Sequence, residues 1–154
     1  RSRHRWPAKH QSILWYVKSS GNYVFNRDET DRIPYLAPGM VGAERAARGK
    51  RPTDVWWQTI VPTSGKERTG YPTQKPLQLL TRIERVHSNP GDVVLDPFAG
   101  SGTTGEAAAR NGRDFILVDK SPLAIAVMKK RLRPWNPTCD THRKAHRVAS
   151  GVVA

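Results

Sequence analysis

Cysteine is almost absent from this chain: Cys139 is the only one among 154 residues. An intrachain disulfide is therefore excluded, and nothing suggests a zinc site or any other metal centre. A reducing, cytoplasmic setting fits such a composition. Acidic residues are also scarce, 13 against 26 Lys and Arg, which leaves a formal net charge of +13. No apolar run approaches the roughly 20 residues that a membrane span needs. No signal peptide and no internal repeat are visible. The first residue is Arg1 and not Met, as expected of a fragment, a processed product or a trimmed piece.

What is present suits one ordinary globular domain, with 37% hydrophobic and 25% charged residues. The positive excess is uneven. Residues 1–53 hold 11 Lys/Arg against 4 Asp/Glu, and residues 129–147 hold 7 against 1. The middle of the chain is nearly neutral. Two basic ends flanking a neutral centre suggest a polyanionic partner such as nucleic acid. The plainer alternative is a solvated basic surface.

Local patterns divide the chain into four parts. Residues 1–26 contain Ser12-Ile13-Leu14-Trp15-Tyr16-Val17, which reads as a strand. Gly21-Asn22 then signals a turn before a second short strand at Tyr23-Val24-Phe25. Residues 27–72 are polar and rich in Pro and Gly, with a short helix expected from Ala43 to Arg48. Loops of that length are usually functional or disordered. Over residues 73–133 the periodicity is strong. Leu77, Leu80, Ile83 and Val86 predict an amphipathic helix over 76–88, with Pro76 in its first turn and Asn89-Pro90-Gly91 stopping it. A strand at 92–95, a helix at 102–110, a strand at 114–118 and a helix at 122–132 complete a β-α-β-α unit whose strands should be parallel neighbours. Gly112 stands where a helix C-terminal glycine belongs, and Ser121-Pro122 reads as an N-cap followed by proline at the first helical position. Residues 134–154 form a basic tail with little periodicity, expected to be mobile, although Val148 to Ala154 have the character to dock.

The most informative stretch is Asp96-Pro97-Phe98-Ala99-Gly100-Ser101-Gly102-Thr103-Thr104. A strand ends in an acid, a glycine turn follows and a helix begins. Glycines at 100 and 102 let the backbone approach a ligand closely. Asp96 lies at the carboxyl end of a strand, where open α/β sheets bind ligands. Gly100, Gly102 and Gly105 match G-x-G-x-x-G literally, with Asp119 downstream. A nicotinamide dinucleotide is nonetheless the poorer reading. Four residues separate the strand from the glycines, and the first is an acid, ill placed beside a pyrophosphate and well suited to a cation.

The stretch strongly resembles the S-adenosylmethionine loop of DNA amino-methyltransferases, D-P-F-x-G-S-G-T-T. Tyr71-Pro72-Thr73-Gln74-Lys75-Pro76-Leu77 upstream matches the T-Q-K-P segment of that family, and Phe115-Ile116-Leu117-Val118-Asp119 downstream matches its acidic strand end. The resemblance is clear over residues 54–132 and looser over 10–26. It implies an α/β chain with a partial Rossmann-like methyltransferase fold: a mostly parallel sheet with flanking helices, several strands missing. It implies S-adenosylmethionine as cofactor, held by the residues of the turn from Asp96 to Thr103, by Asp119 and Lys120, and by Thr73 and Lys75. Asp96 would meet the donor's ammonium group, Asp119 its ribose hydroxyls, and Thr73 and Lys75 its carboxylate. The alternatives are structural: Asp96 and Asp119 as helix caps, Lys75 as a solvated side chain, Phe98 as core. The family more often has Glu at the position of Asp119 and His at that of Tyr71.

The resemblance also implies double-stranded DNA with a flipped base as partner. The basic loop, with Tyr35, Arg45, Arg48, Lys50 and Arg51, occupies the place of the family's target-recognition segments. Trp56-Trp57 and His10 read better as structural residues. Catalysis in this family rests on [D/N/S]-P-P-[Y/F/W], and the sequence has no Pro-Pro dipeptide. No catalytic residue is therefore assigned. The chain reads as the donor-binding half of a methyltransferase, inactive by itself. It should need a second polypeptide with the catalytic half, or a homodimer, to cover its strand edges. The competing reading is a basic DNA-binding module or partner subunit that keeps the fold without turnover.

Overall fold

In the computed structural model, residues 9–140 are described, together with His4 and Trp6. Strand β1 (Val93–Asp96) and strand β2 (Asp114–Leu117) pair in parallel, with Val93 opposite Asp114 and Asp96 opposite Leu117. Helix α3 (Thr103–Arg110) connects them, and α4 (Pro122–Leu132) follows β2. Ahead of this unit stand α1 (Ala43–Arg48) and α2 (Leu77–His87). All four helices and both strands lie where the local patterns predict them, within a residue or so at each end. The fold is α/β, with a small parallel sheet and flanking helices.

Each boundary has a local cause. Pro76 immediately precedes α2, and the Leu77 N–H, free at the helix start, donates to the Glu67 carboxylate at 3.0 Å. Gly112 takes φ +72° just past α3, the left-handed conformation that ends a helix. The Ser121 hydroxyl accepts from the Ala124 N–H at α4, with Pro122 at the first helical position as expected. Small residues on α3 then set the packing. Ala107 and Ala108 are fully buried, and a Cβ on Gly105 would fall 2.5 Å from Leu117 Cδ1. Helix α3 thus lies close on β2 and against α2. A second cluster joins Ala99 in the turn to Ala124, Met128 and Leu132 of α4, with Tyr71, Phe115 and Leu117 packed on it.

The long loop is moored by its acids. Asp31 pairs with Arg82 of α2 at 2.8 Å, Glu29 with Arg85 at 2.7 Å and Asp28 with Arg51 at 2.6 Å. Ile33 and Lys50 exchange backbone hydrogen bonds, closing the segment that contains α1.

Two expected strands are not formed. Ser12–Val17 and Tyr23–Phe25 carry no strand among the described residues. A strand exists only with a ladder partner, and β1 and β2 pair with each other alone. The apolar residues at 13–16 are consequently exposed, Leu14 at 73% and Tyr16 at 82%. Trp15 instead packs edge-on to Tyr23 at 5.1 Å and against His87 at 5.3 Å. One face of the sheet is likewise bare: Val93 and Leu95 of β1 and Ile116 of β2 are roughly half exposed or more. Parallel sheets are ordinarily covered on both faces. Among the described residues no helix is long and apolar enough to cross a membrane, and no His, Cys, Asp and Glu group is placed to hold a metal. Among the described residues beyond Leu132 a 3-10 turn, Arg133–Trp135, is formed, and residues 141–154 of the basic tail, with the docking segment expected at 148–154, lie outside the described residues.

Candidate ligand site at the glycine turn

The two acids predicted to bind a ligand come together at the carboxyl ends of β1 and β2. Val118 N–H donates to the Asp96 carbonyl at 2.9 Å and Ala99 N–H to the Val118 carbonyl at 3.0 Å, so the turn is stitched to the end of β2. Asp119 Oδ2 accepts from the Gly100 N–H at 2.8 Å, and its Oδ1 accepts from the Ser121 N–H at 2.8 Å. Asp96 Oδ1 accepts from the Phe98 N–H at 3.0 Å, and its Oδ2 accepts from the Thr104 hydroxyl at 2.6 Å. Asp96 therefore caps no α3 backbone group; Gly102 is the N-cap. Asp119 does tie down the start of α4, so its structural reading is realised. A carboxylate has about four lone-pair sites. Each acid uses two here and keeps acceptor capacity for a ligand.

The glycines also have a role inside the protein that their spacing does not predict. Gly100 and Gly102 take φ +51° and +73°, which side-chain-bearing residues rarely adopt. The space beside them is filled by the protein. A Cβ on Gly102 would lie 2.8 Å from Met128 Cγ, and one on Gly100 would lie 3.1 Å from the Tyr71 ring. These glycines bring the turn against α4 and Tyr71, and in doing so hold it open on its other side. There Pro97 and Phe98 are exposed, Phe98 at 86%, so Phe98 is not core.

Ala99, Ser101 and Thr103 are buried and support the turn from inside. Lys120 is exposed beside Asp119, and Thr73 is exposed ahead of α2. Lys75 reaches Gln11 Oε1 at 2.9 Å, while its carbonyl accepts from the Thr103 hydroxyl at 3.2 Å. The T-Q-K-P segment and the glycine turn thus meet directly. A cleft of about 780 Å³, lined by Arg85, Asn89, Asn111 and Arg113, opens at the other end of the sheet. Ligands of open α/β sheets bind at the carboxyl ends, so the cleft is the poorer candidate.

Sequence reasoning missed Arg131 and Glu106. Arg131 has a side chain 4% exposed, and its Nε donates to Glu106 Oε2. Its Nη1 donates to the Thr103 hydroxyl at 2.9 Å. The only sequence signal is an acid in α3 and a base in α4, too far apart for any helical spacing rule.

The proposed nucleic-acid residues separate into two pairs. Arg45 and Arg48 are exposed on α1. Arg51 is engaged with Asp28, and Lys50 sits 5.9 Å over the Tyr35 ring. Trp56 is half-buried under Arg82, whereas Trp57 is 98% exposed, which corrects its reading as core.

The sequence pattern of a DNA methylase family matches residues 1–130. The chain is 38% identical over 137 residues to the DNA adenine methyltransferase YhdJ of Escherichia coli K12, covering 81% of this chain and 45% of that protein. It is 43% identical over 134 residues to the type II methyltransferase M2.DpnII of Streptococcus pneumoniae, covering 86% and 49%. The chain spans about half the length of these curated relatives. A solved complex of M1.HpyAVI with SAM superposes with a TM-score of 0.49 at 36% identity, covering 72% of this chain and 44% of that one.

Proposed function

This chain belongs to the DNA methylase family, and we propose that it supplies the S-adenosylmethionine-binding half of a site-specific DNA methyltransferase acting on an adenine or cytosine amino group. The observation that carries the reading is the pairing of Asp96 and Asp119 at one glycine turn, on the open carboxyl end of a parallel sheet. The donor set suits the ligand. Bound S-adenosylmethionine would supply a methyl group activated on a positively charged sulfur. Asp96 accepts from the ligand's ammonium group, and Asp119 accepts from its ribose hydroxyls. Phe98 offers an exposed ring beside them, and Thr73 and Lys75 hold the ligand carboxylate from the other side of the turn. Arg45 and Arg48 contact DNA phosphates.

The sequence has no Pro-Pro dipeptide, so we infer that the acceptors needed by the reacting amino group come from elsewhere and that this chain alone transfers nothing. The bare sheet face at Val93, Leu95 and Ile116 gives the polypeptide that carries those acceptors a place to pack. A homodimer is the other way to cover it. Titration calorimetry with S-adenosylhomocysteine tests the reading. Binding that is lost in Asp96→Ala supports it. Absence of binding by the folded chain refutes a self-sufficient donor site, and the non-catalytic DNA-binding module, favoured by the +13 charge, then takes its place.

A further inference from the structure

We propose that Arg131 is a positioning residue that sets the spacing between the two halves of the donor site, the glycine turn and the Thr73–Lys75 segment; this rests on the donor-binding reading above. The hydrogen bonds run in one direction. The Thr103 hydroxyl donates to the Lys75 carbonyl at 3.2 Å and so must accept from Arg131 Nη1, at 2.9 Å. The Ser101 hydroxyl, 3.0 Å away, is then left to donate to Thr103. Glu106 fixes the guanidinium from behind through Arg131 Nε. One buried arginine on α4 thus orders two hydroxyls of the turn and, through one of them, the backbone at Lys75.

Stability alone accounts poorly for this arrangement. The Arg131 side chain is 4% exposed, and its Nη2 is buried without a hydrogen-bond partner. A buried charge with incomplete pairing is often no better for stability than an apolar side chain of similar size. Its directed contacts, in contrast, are ones an apolar side chain cannot make. Arg110 is a natural control. It bonds the other oxygen of Glu106 at 2.8 Å from the exposed side of α3 and touches nothing in the turn.

The test compares two ligands. S-adenosylhomocysteine spans both halves of the site. 5′-Methylthioadenosine lacks the amino-acid end, so it engages neither Asp96 nor the Thr73–Lys75 segment and needs only Asp119 and the open side of the turn at Phe98. Arg131→Met and Thr103→Val should each weaken S-adenosylhomocysteine about tenfold, the worth of one charge-assisted hydrogen bond, and change 5′-methylthioadenosine less than about twofold. Arg110→Ala should change neither. Thr103→Val removes one hydroxyl and keeps the volume, so it serves if Arg131→Met does not fold. Equal loss for both ligands would mark a purely structural role and overturn the proposal. Unchanged binding of both would do the same. A wild-type chain that binds neither ligand refutes the donor-binding reading itself.

Discussion

Replacing Glu84 by Gln should stabilise the protein at alkaline pH and leave it nearly unchanged in acid. Glu84 lies on α2 facing α3 and is 5% exposed. Neither carboxylate oxygen has a hydrogen-bond partner. Burial pushes its carboxyl up from 4.5 to about 7. Asn111 and Arg113 pull in the opposite direction from nearby, but the Asn111 amide donates to the Ala107 carbonyl, and Arg113 donates to Ser88 and to the Asn111 carbonyl. At 1.36 kcal/mol per pKa unit, ionising Glu84 costs about 3 kcal/mol more in the folded chain than in the unfolded one. The folded state holds the proton more tightly. Stability is therefore full below pH 4.5, falls as pH rises, and levels off above about 7. Glu84→Gln removes that fall. Urea unfolding at pH 4.5 and pH 8.5 should give a difference between variant and wild type near zero at the first and about 3 kcal/mol at the second. His87, lowered by its burial, adds a slope of the opposite sign, which cancels in the comparison because both proteins carry it. An equal difference at the two pH values would refute the reasoning, because a packing effect does not depend on protonation.

Gly102→Ala should cost about 2 kcal/mol or more, since it combines a left-handed backbone with a 2.8 Å approach to Met128 Cγ; thermal unfolding checks it, and a neutral result would mean the turn is not held as described. Leu95→Lys places a charge on the bare sheet face, 61% exposed in this chain, and should raise the monomer fraction seen by light scattering without lowering the unfolding midpoint. Asp119→Asn leaves an amide that can still accept from Gly100 but loses the charge. It should weaken S-adenosylhomocysteine roughly tenfold in calorimetry, and unchanged affinity would leave Asp119 with its structural role alone.

The β-α-β-α unit was legible because its signals are local. Pro76, Gly112 and Ser121-Pro122 each end or start an element through groups within a few residues of themselves, and the structure uses each for that purpose. Ser12–Val17 failed because strand propensity is a statement about fitting a pleated surface beside a neighbour. A run that reads Ile-Leu-Trp-Tyr-Val carries the propensity without specifying the neighbour. The mooring of the long loop was invisible for a related reason. Asp28, Glu29 and Asp31 look like solvated acids in sequence, and only the fold brings Arg82 and Arg85 beside Glu29 and Asp31.

The glycine turn shows that one residue pattern can answer to a need inside the protein as well as to one at a ligand. Spacing reads Gly100 and Gly102 as room for a ligand. In the structure that room belongs to Tyr71 and Met128. What the glycines supply is a left-handed path with the protein packed tightly on one side, while on the opposite side Asp96 and Asp119 are each held by hydrogen bonds to the turn and its helix, beside the exposed Phe98. A preformed surface of that kind lowers the ordering cost that binding must overcome. The buried Arg131–Glu106 pair extends the same logic to the second half of the site, where the Thr103 hydroxyl transmits the position of α4 to Lys75. Rigidity on the buried side and polar acceptors on the open side are separable, and the Thr103→Val and Asp119→Asn variants separate them. The first should cost affinity only for ligands that reach Lys75, and the second for any ligand that carries the ribose.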